Sequence, residues 1–291
     1  MALFQSKKRR WVLALADTHA GHVLGLLNPE TVLIRALDDG SVEEWTPELT
    51  ATQRYLWGLF TEQLAEVREV VGRDEVICFH GGDITQGDRW GDGLIDGVTR
   101  EDQRLIACAN MQPVLDLPSL RRLRLVTGTL VHVPDCAEAR IARRLAETSG
   151  KDVASYHHTR ANVDGVILEV AHHGPFPGSR DWLKGNVALY HLRDRVYRDH
   201  RLGIRCADAY IYGHYHEWVW TTLHECWHGK DRDHHLVIVP SFCGLTHFAR
   251  KSTHSLPALT NGMALVEIDE GRLVSIRCLK ATFDLRMEET L

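Results

Sequence analysis

No apolar run in this 291-residue chain approaches the roughly 20 residues that cross a bilayer, so no membrane-spanning helix is expected. Also missing are a Walker-type phosphate loop and a Gly-x-Gly-x-x-Gly fingerprint, the two common glycine cradles for nucleotide phosphates. No Cys-x-x-Cys pair marks a zinc ribbon. The seven cysteines are an odd number scattered through apolar segments, which suits reduced thiols in a cytoplasm better than a disulfide framework. The apolar run after the N-terminal basic cluster closes on Asp17 and His19, so it reads as a first strand and not as an export signal. An excess of positive charge is absent too: the formal net charge of −5 argues against a generally basic nucleic-acid binder. With no internal repeat, low-complexity tract or composition shift, one domain over residues 1–291 is expected, with its core at about 11–245 and C-terminal strands at 262–280 completing a sheet.

What the chain does carry is a series of Asp and His residues placed where apolar runs end. ALADTHAG holds Asp17 and His19, FHGGDITQG holds Asp83, EVAHHG holds His172 and His173, and YIYGHYHEW holds His214 and His216. Carboxylate oxygens and imidazole nitrogens are donors for divalent cations. On an extended segment residues two apart point the same way, so Asp17/His19 and His214/His216 would each deliver two donors to one side. Asp83, between a buried-looking segment and a glycine-containing loop, is placed to bridge two cations. Taken singly, a strand-end Asp is more often a cap and a lone His more often a partly buried side chain; the ordered set is what points to a metal centre.

Between these positions the periodicities alternate. A strand at 11–17 is followed by a polar excursion with a turn at Asp38-Asp39-Gly40. A helix from Thr52 to Val71, capped by Thr50 or Thr52 and closed by Gly72, comes next. Strands at 76–83, 122–129 and 163–173 alternate with helices at about 100–116, 135–148 and 186–202. A strand-like segment precedes His214, a hairpin turns around His228–Asp233, and the last two strands flank Glu270-Gly271. Strands alternating with helices, then late hairpins, give a mixed α/β fold.

The order D-x-H, G-G-D, H-H-G, G-H-x-H resembles the calcineurin-like metallophosphoesterase superfamily, in a phage or bacterial type of member, from about residue 11 to about 245. The resemblance implies two facing mixed β-sheets flanked by helices, a four-layer αββα sandwich with its metals in loops at the strand ends along one edge. Carried onto the matched motifs, Asp17, His19, Asp83 and His216 would hold one cation, and Asp83, His214 and one of His172/His173 the other. Mn is the expected metal, with Fe, Zn, Ni or Co as alternatives. Two such cations would polarise a phosphate ester and activate a bridging water for in-line hydrolysis of a phosphodiester or phosphomonoester.

One motif departs from the family. Where a Gly-Asn-His segment should follow the third core strand, the chain reads Gly128-Thr129-Leu130-Val131-His132. A threonine hydroxyl is a poorer neutral donor than an amide carbonyl. Either Thr129 does not ligate, or a rearranged loop brings His132 into the site. Equally, His132 could take the part of the family histidine that contacts phosphate and protonates the leaving group, which makes His132 and Asp83 the candidate catalytic residues. A rival reading is a non-catalytic scaffold that keeps the fold with an incomplete site.

Gln86 could orient water or substrate, and His247 and Arg250, in a long polar loop, could contact an anionic substrate. Arginines at 121–144 and 193–205 are either solvated helix faces or a surface for an extended anion. They tip the substrate slightly towards a phosphodiester, nucleotide or nucleic acid. Asn110 reads as structural. Cys226, His228, His234, His235 and Cys243, and the pair His157/His158, offer zinc-type donors without convincing spacing. Trp218, Trp220 and Trp227 read as packing on a half-buried strand before base stacking.

Overall fold

A computed structural model of the chain describes residues 9–37, 39–89, 93–178, 180–245 and 257–286. His247 and Arg250 lie outside the described residues. The strands, in chain order, are β1 (Arg10–Leu15), β2 (Leu33–Ala36), β3 (Val42–Trp45), β4 (Glu75–His80), β5 (Leu120–Val126), β6 (Asp152–Tyr156), β7 (Thr159–Val163), β8 (Val166–Ala171), β9 (Ala209–Tyr212), β10 (Val219–Trp227), β11 (Lys230–Ile238), β12 (Ala258–Asp269) and β13 (Arg272–Asp284). The helices are α1 (Ala51–Val71), α2 (Arg100–Leu115), α3 (Ala137–Ser149) and α4 (Lys184–Arg201).

Six strands form a first sheet in the order β13-β12-β1-β4-β5-β6, with β1, β4, β5 and β6 parallel and β12 antiparallel to β1 and β13. Five form a second, β10-β11-β9-β8-β7, whose central β11, β9 and β8 are parallel. The alternation along β1 shows how the layers arise. Trp11, Leu13 and Leu15 point into a cluster with Leu56, Phe60 and Val67 of α1, Ile106 and Met111 of α2, and Ile141 and Leu145 of α3. Val12 and Ala14 point the other way, against Leu168 and Val170 of β8, Ala209 and Ile211 of β9, and Val237 of β11. The far face of the second sheet, with Tyr210, Leu236 and Ile238, is covered by Ala188, Leu192 and Val196 of α4. Helices, sheet, sheet and helix therefore stack as αββα, a mixed α/β fold with its central apolar layer between the two sheets.

Local chemistry sets the element ends. Thr50 and Gln53 form a reciprocal capping box at the start of α1, with Gln53 N–H donating to Thr50 Oγ1 at 3.2 Å and Thr50 N–H to Gln53 Oε1 at 2.9 Å. Thr99 and Asp102 do the same for α2. The hairpins turn on Asp164-Gly165, His228-Gly229 and Glu270-Gly271, each with both φ angles positive, as a tight two-residue hairpin needs. The β10–β11 turn is thus shorter than the expected 228–233. Four strands also end earlier than expected: β1 at Leu15, β4 at His80, β5 at Val126, and the 163–173 run divides into the β7–β8 hairpin and stops at Ala171. The polar excursion contains the short β2–β3 hairpin. All seven cysteines are free. Among the described residues no helix is long and apolar enough to cross a membrane.

Asn110 of α2 anchors the loop that carries His19. Its Oδ1 accepts the Asn28 N–H at 2.8 Å and its Nδ2 donates to the Leu26 carbonyl at 2.7 Å, with the side chain fully buried. Asn110→Ala is expected to leave both backbone groups unpaired and to cost about 3 kcal/mol in denaturant unfolding.

Candidate metal centre

The candidate donors sit just beyond the ends of parallel strands: Asp17 after β1, Asp83 after β4, Thr129 after β5, His172 and His173 after β8, and His214 and His216 after β9. The loops are not extended. Asp17 (φ 55°), His19 (φ 44°), Asp83 (φ 51°), His214 (φ 75°) and His216 (φ 54°) all adopt the left-handed region, which non-glycine residues enter at a cost on the order of 1 kcal/mol or more each. This corrects the expectation that residues two apart share a side because the chain is extended. The cause is hydrogen bonding across the seam of loops: Asp17 N–H donates to the Gly82 carbonyl at 2.9 Å and His19 N–H to the Asp83 carbonyl at 3.1 Å, curling the chain as it leaves the ladder.

Three overlapping donor groups result, Asp17/His19/His216, Asp17/Asp83/His172 and His172/His173/His214, with the donor atoms of each group within 4.8 Å of one another. His19 Nε2 and His216 Nε2 lie 3.3 Å apart, and His216 Nε2 is 3.5 Å from Asp17 Oδ1. His172 Nε2 lies 3.0 Å from Asp83 Oδ2 and 3.2 Å from His214 Nδ1. Asp83, 2 % exposed, stands between the outer groups. Its Oδ1 accepts the Thr129 N–H at 2.6 Å, and Asp17 Oδ2 accepts the His214 N–H at 2.9 Å.

The electrostatics agree with the donor chemistry. Burial pushes the Asp17 carboxyl up, but His216 and His172 outweigh it and bring it to about 2. Burial likewise opposes ionisation of Asp83, and the facing His172 overcomes it, holding the group well below the usual carboxylate range. Burial lowers His19 well below its ordinary value, helped by His132, and lowers His214 to about 4, helped by His172. His172 is the exception: burial lowers it, but Asp83 prevails and raises it to about 9, so a cation bound there would displace a proton. Asp17 Oδ1 and His19 Nδ1 are buried without a hydrogen-bond partner. Buried carboxylate oxygen without a donor, and imidazole nitrogens facing one another, are the donor set a divalent cation satisfies.

Both histidines of the His172/His173 pair reach the cluster. His172 Nδ1–H donates to the Gly81 carbonyl at 2.8 Å, which turns Nε2 inward, the orientation typical of a metal-ligating imidazole. Thr129 does not stand aside: its Oγ1 lies 3.1 Å from His172 Nε2, 3.3 Å from His173 Nε2, 3.4 Å from His214 Nδ1 and 3.2 Å from Asp83 Oδ2. His132 is at the other end, its ring edge-on to His19 with centroids 4.8 Å apart and its Nδ1–H donating to the Gln86 carbonyl at 2.7 Å. It belongs to none of the three donor groups. Gln86 therefore bears on the site through its backbone, positioning His132.

Other participants carried too weak a signal in the sequence. Glu138, in the first turn of α3, accepts the Gly128 N–H at 3.1 Å and fixes the loop of Thr129; burial pushes its carboxyl up to about 8. A cleft of about 210 Å³ opens beside His172 and His173, lined also by His157, His158, His191, Arg195 and Tyr212. Arg195 pairs with Glu169, which also meets His158 Nε2 at 3.1 Å. The His157/His158 pair had no ligand spacing, and Arg195 was one arginine in a run. Only the fold brings them to the same opening.

No family model matches the sequence, and no curated protein matches it. Among solved structures, the chain is similar to a metallophosphoesterase from Sphaerobacter thermophilus at 11% identity and a TM-score of 0.34, covering 92% of this chain and 87% of that one. It is also similar to a Thermotoga maritima protein solved by solution NMR, at 12% identity and a TM-score of 0.29, covering 58% of this chain and 85% of that one.

A Cβ at Gly128 would lie 2.2 Å from both the backbone nitrogen and Oδ1 of Asp83. Backbone cannot yield there, so Gly128→Ala is expected to lower stability by about 3 kcal/mol in thermal unfolding and to displace Asp83 from the donor groups.

Proposed function

We propose that this chain is a metal-dependent phosphoesterase of the calcineurin-like kind, hydrolysing a phosphodiester in preference to a phosphomonoester. The observation that carries the reading is the interlocking of the three donor groups through Asp17, Asp83 and His172. Asp17, His19, Asp83 and His216 would hold one divalent cation, and Asp83, His172, His214 and His173 or Thr129 the second. Bound there, two cations would polarise the phosphoryl oxygens, supply an activated water at neutral pH and absorb charge on the leaving side.

The chain's own residues do the rest. Asp83 sets the separation of the two donor sets. A carbonyl only accepts, so His132 keeps a proton on Nδ1, and its ring, edge-on to His19, would hand a proton from Nε2 to a departing alkoxide. The cleft with His157, His158, His191 and Arg195 offers imidazole and guanidinium donors to the remainder of an anionic substrate, which favours a diester or nucleotide. The altered Gly128–His132 segment is the ground for a non-catalytic reading. The convergence of Thr129 Oγ1 with four donor atoms weighs against it.

Metal-stripped protein reloaded with Mn²⁺ should bind about two ions per chain and turn over chromogenic phosphodiesters. One ion or none, with no turnover, would overturn the proposal. Asp83→Asn should lower kcat about 10³-fold, the loss of roughly 4 kcal/mol of charge stabilisation, with an unchanged circular dichroism spectrum. For His132→Ala the loss should be about 10²-fold on esters with alkoxide leaving groups and small on nitrophenyl esters, whose leaving group needs no proton. An equal loss on both would remove His132 as the proton donor.

A further inference from the structure

A second set of donors meets on the outer face of the second sheet, away from the candidate centre. Cys226, His228, His235 and Cys243 form no donor group among the described residues. His234 instead joins residues from other elements. His200, in the last turn of α4, Cys206, in the following loop, and Glu225 of β10 place one donor atom each within 4.8 Å of one another.

The geometry is specific. Cys206 Sγ lies 3.6 Å from His200 Nε2, and the Glu225 carboxylate oxygens lie 2.9 and 3.2 Å from the same nitrogen. A tetrahedral ion with Zn–N near 2.05 Å and Zn–S near 2.3 Å separates nitrogen and sulfur by about 3.6 Å and nitrogen and oxygen by about 3.3 Å. Sγ is almost as far from Nδ1 of the same ring, at 3.8 Å, so the donor separations suit such an ion once the His200 imidazole turns to aim Nε2 at a point that Sγ also reaches. His234 pairs across the hairpin with Leu223, two residues from Glu225, so it shares Glu225's face of the sheet, and its Nε2 is 3.0 Å from Glu225 Oε1. His234 Nδ1–H donates to the Ala207 carbonyl at 2.6 Å, which fixes the ring and, through it, the carboxylate. Cys206 and His234 are buried, while the side chains of His200 and Glu225 are 15 % and 18 % exposed, so an ion can enter from the rim. Trp227 stacks on His200 at 3.9 Å and covers one side.

We propose that His200, Cys206 and Glu225 bind a zinc-class divalent cation that pins the end of α4 to the β10–β11 hairpin, with His234 orienting Glu225 and water completing the coordination. The thiolate and carboxylate balance the dication; the thiol proton leaves to solvent on binding, and His200 binds as neutral imidazole. This site is independent of the proposed phosphoesterase centre, whose donors are oxygen and nitrogen alone.

That difference supplies the test. The full-length protein loaded with Co²⁺ should show a thiolate-to-cobalt charge-transfer band in the near ultraviolet. The band should persist in Asp83→Asn, disappear in Cys206→Ser with the loss of one ion per chain, and need at least about tenfold more Co²⁺ in Glu225→Gln. Absence of the band from the unaltered protein, or equal intensity and ion content in Cys206→Ser, would overturn the proposal. The unaltered protein decides the first point even if a variant fails to fold.

Discussion

A carboxylate buried as deeply as Asp83 must be met by donors or by positive charge, and the loops around it are arranged to meet it. The Thr129 N–H and the close approach of Gly128 come from the neighbouring strand end of the same sheet and the His172 imidazole from the end of the other, which is possible only if the two sheet ends arrive together. The parallel run of β1, β4 and β5 on one side and of β8 and β9 on the other delivers them. Helices on both outer faces bury the sheets and leave the strand ends to carry the chemistry.

The left-handed residues show where stability is given up for this arrangement. Five of the candidate donors, in the loops after β1, β4 and β9, hold a backbone conformation that ordinary side chains avoid. Directly beneath, Ala14, Val126, Val170 and Ile211 fill the layer between the sheets. A close-packed layer of that kind can over-determine a strained fringe, because relaxing the loops would require moving strands that are buried on both faces.

Much of this was legible in the sequence, for identifiable reasons. Leu56, Phe60 and Val67 announce α1, and Thr50 or Thr52 announces its start, of which the structure selects Thr50, because helical period and capping are local properties. The gathering of Asp17, His19, Asp83, His214 and His216 was legible because they follow apolar runs in a fixed order. Strand ends were not: an apolar run does not say where a partner strand diverges, so Asp17, Asp83, Thr129, His172 and His173 fall inside the strands expected from the sequence and beyond the ends of the observed ones. The positive φ angles at the donors, the partners of Thr129 and the gathering of His157, His191 and Arg195 depend on contacts between segments far apart in the chain. The cluster of His200, Cys206 and Glu225 is of the same kind, since its members lie on a helix end, a loop and a strand with no shared spacing.

The candidate centre is also a seam. Asp17, His19 and Asp83 leave the first sheet, and His172, His173, His214 and His216 leave the second. Ala16 sits at the junction, so close to Gly81 and Gly213 that a Cβ on either would meet its methyl group at 3.2 and 2.8 Å. Spacing between the sheets, set by such small residues, therefore acts as a calliper on the donors. By thermodynamic linkage, any ion that grips both sides of the seam stabilises the folded state by RT ln(1 + c/Kd) at free ion concentration c, so ion affinity and the cohesion of the sandwich are two readings of one free energy.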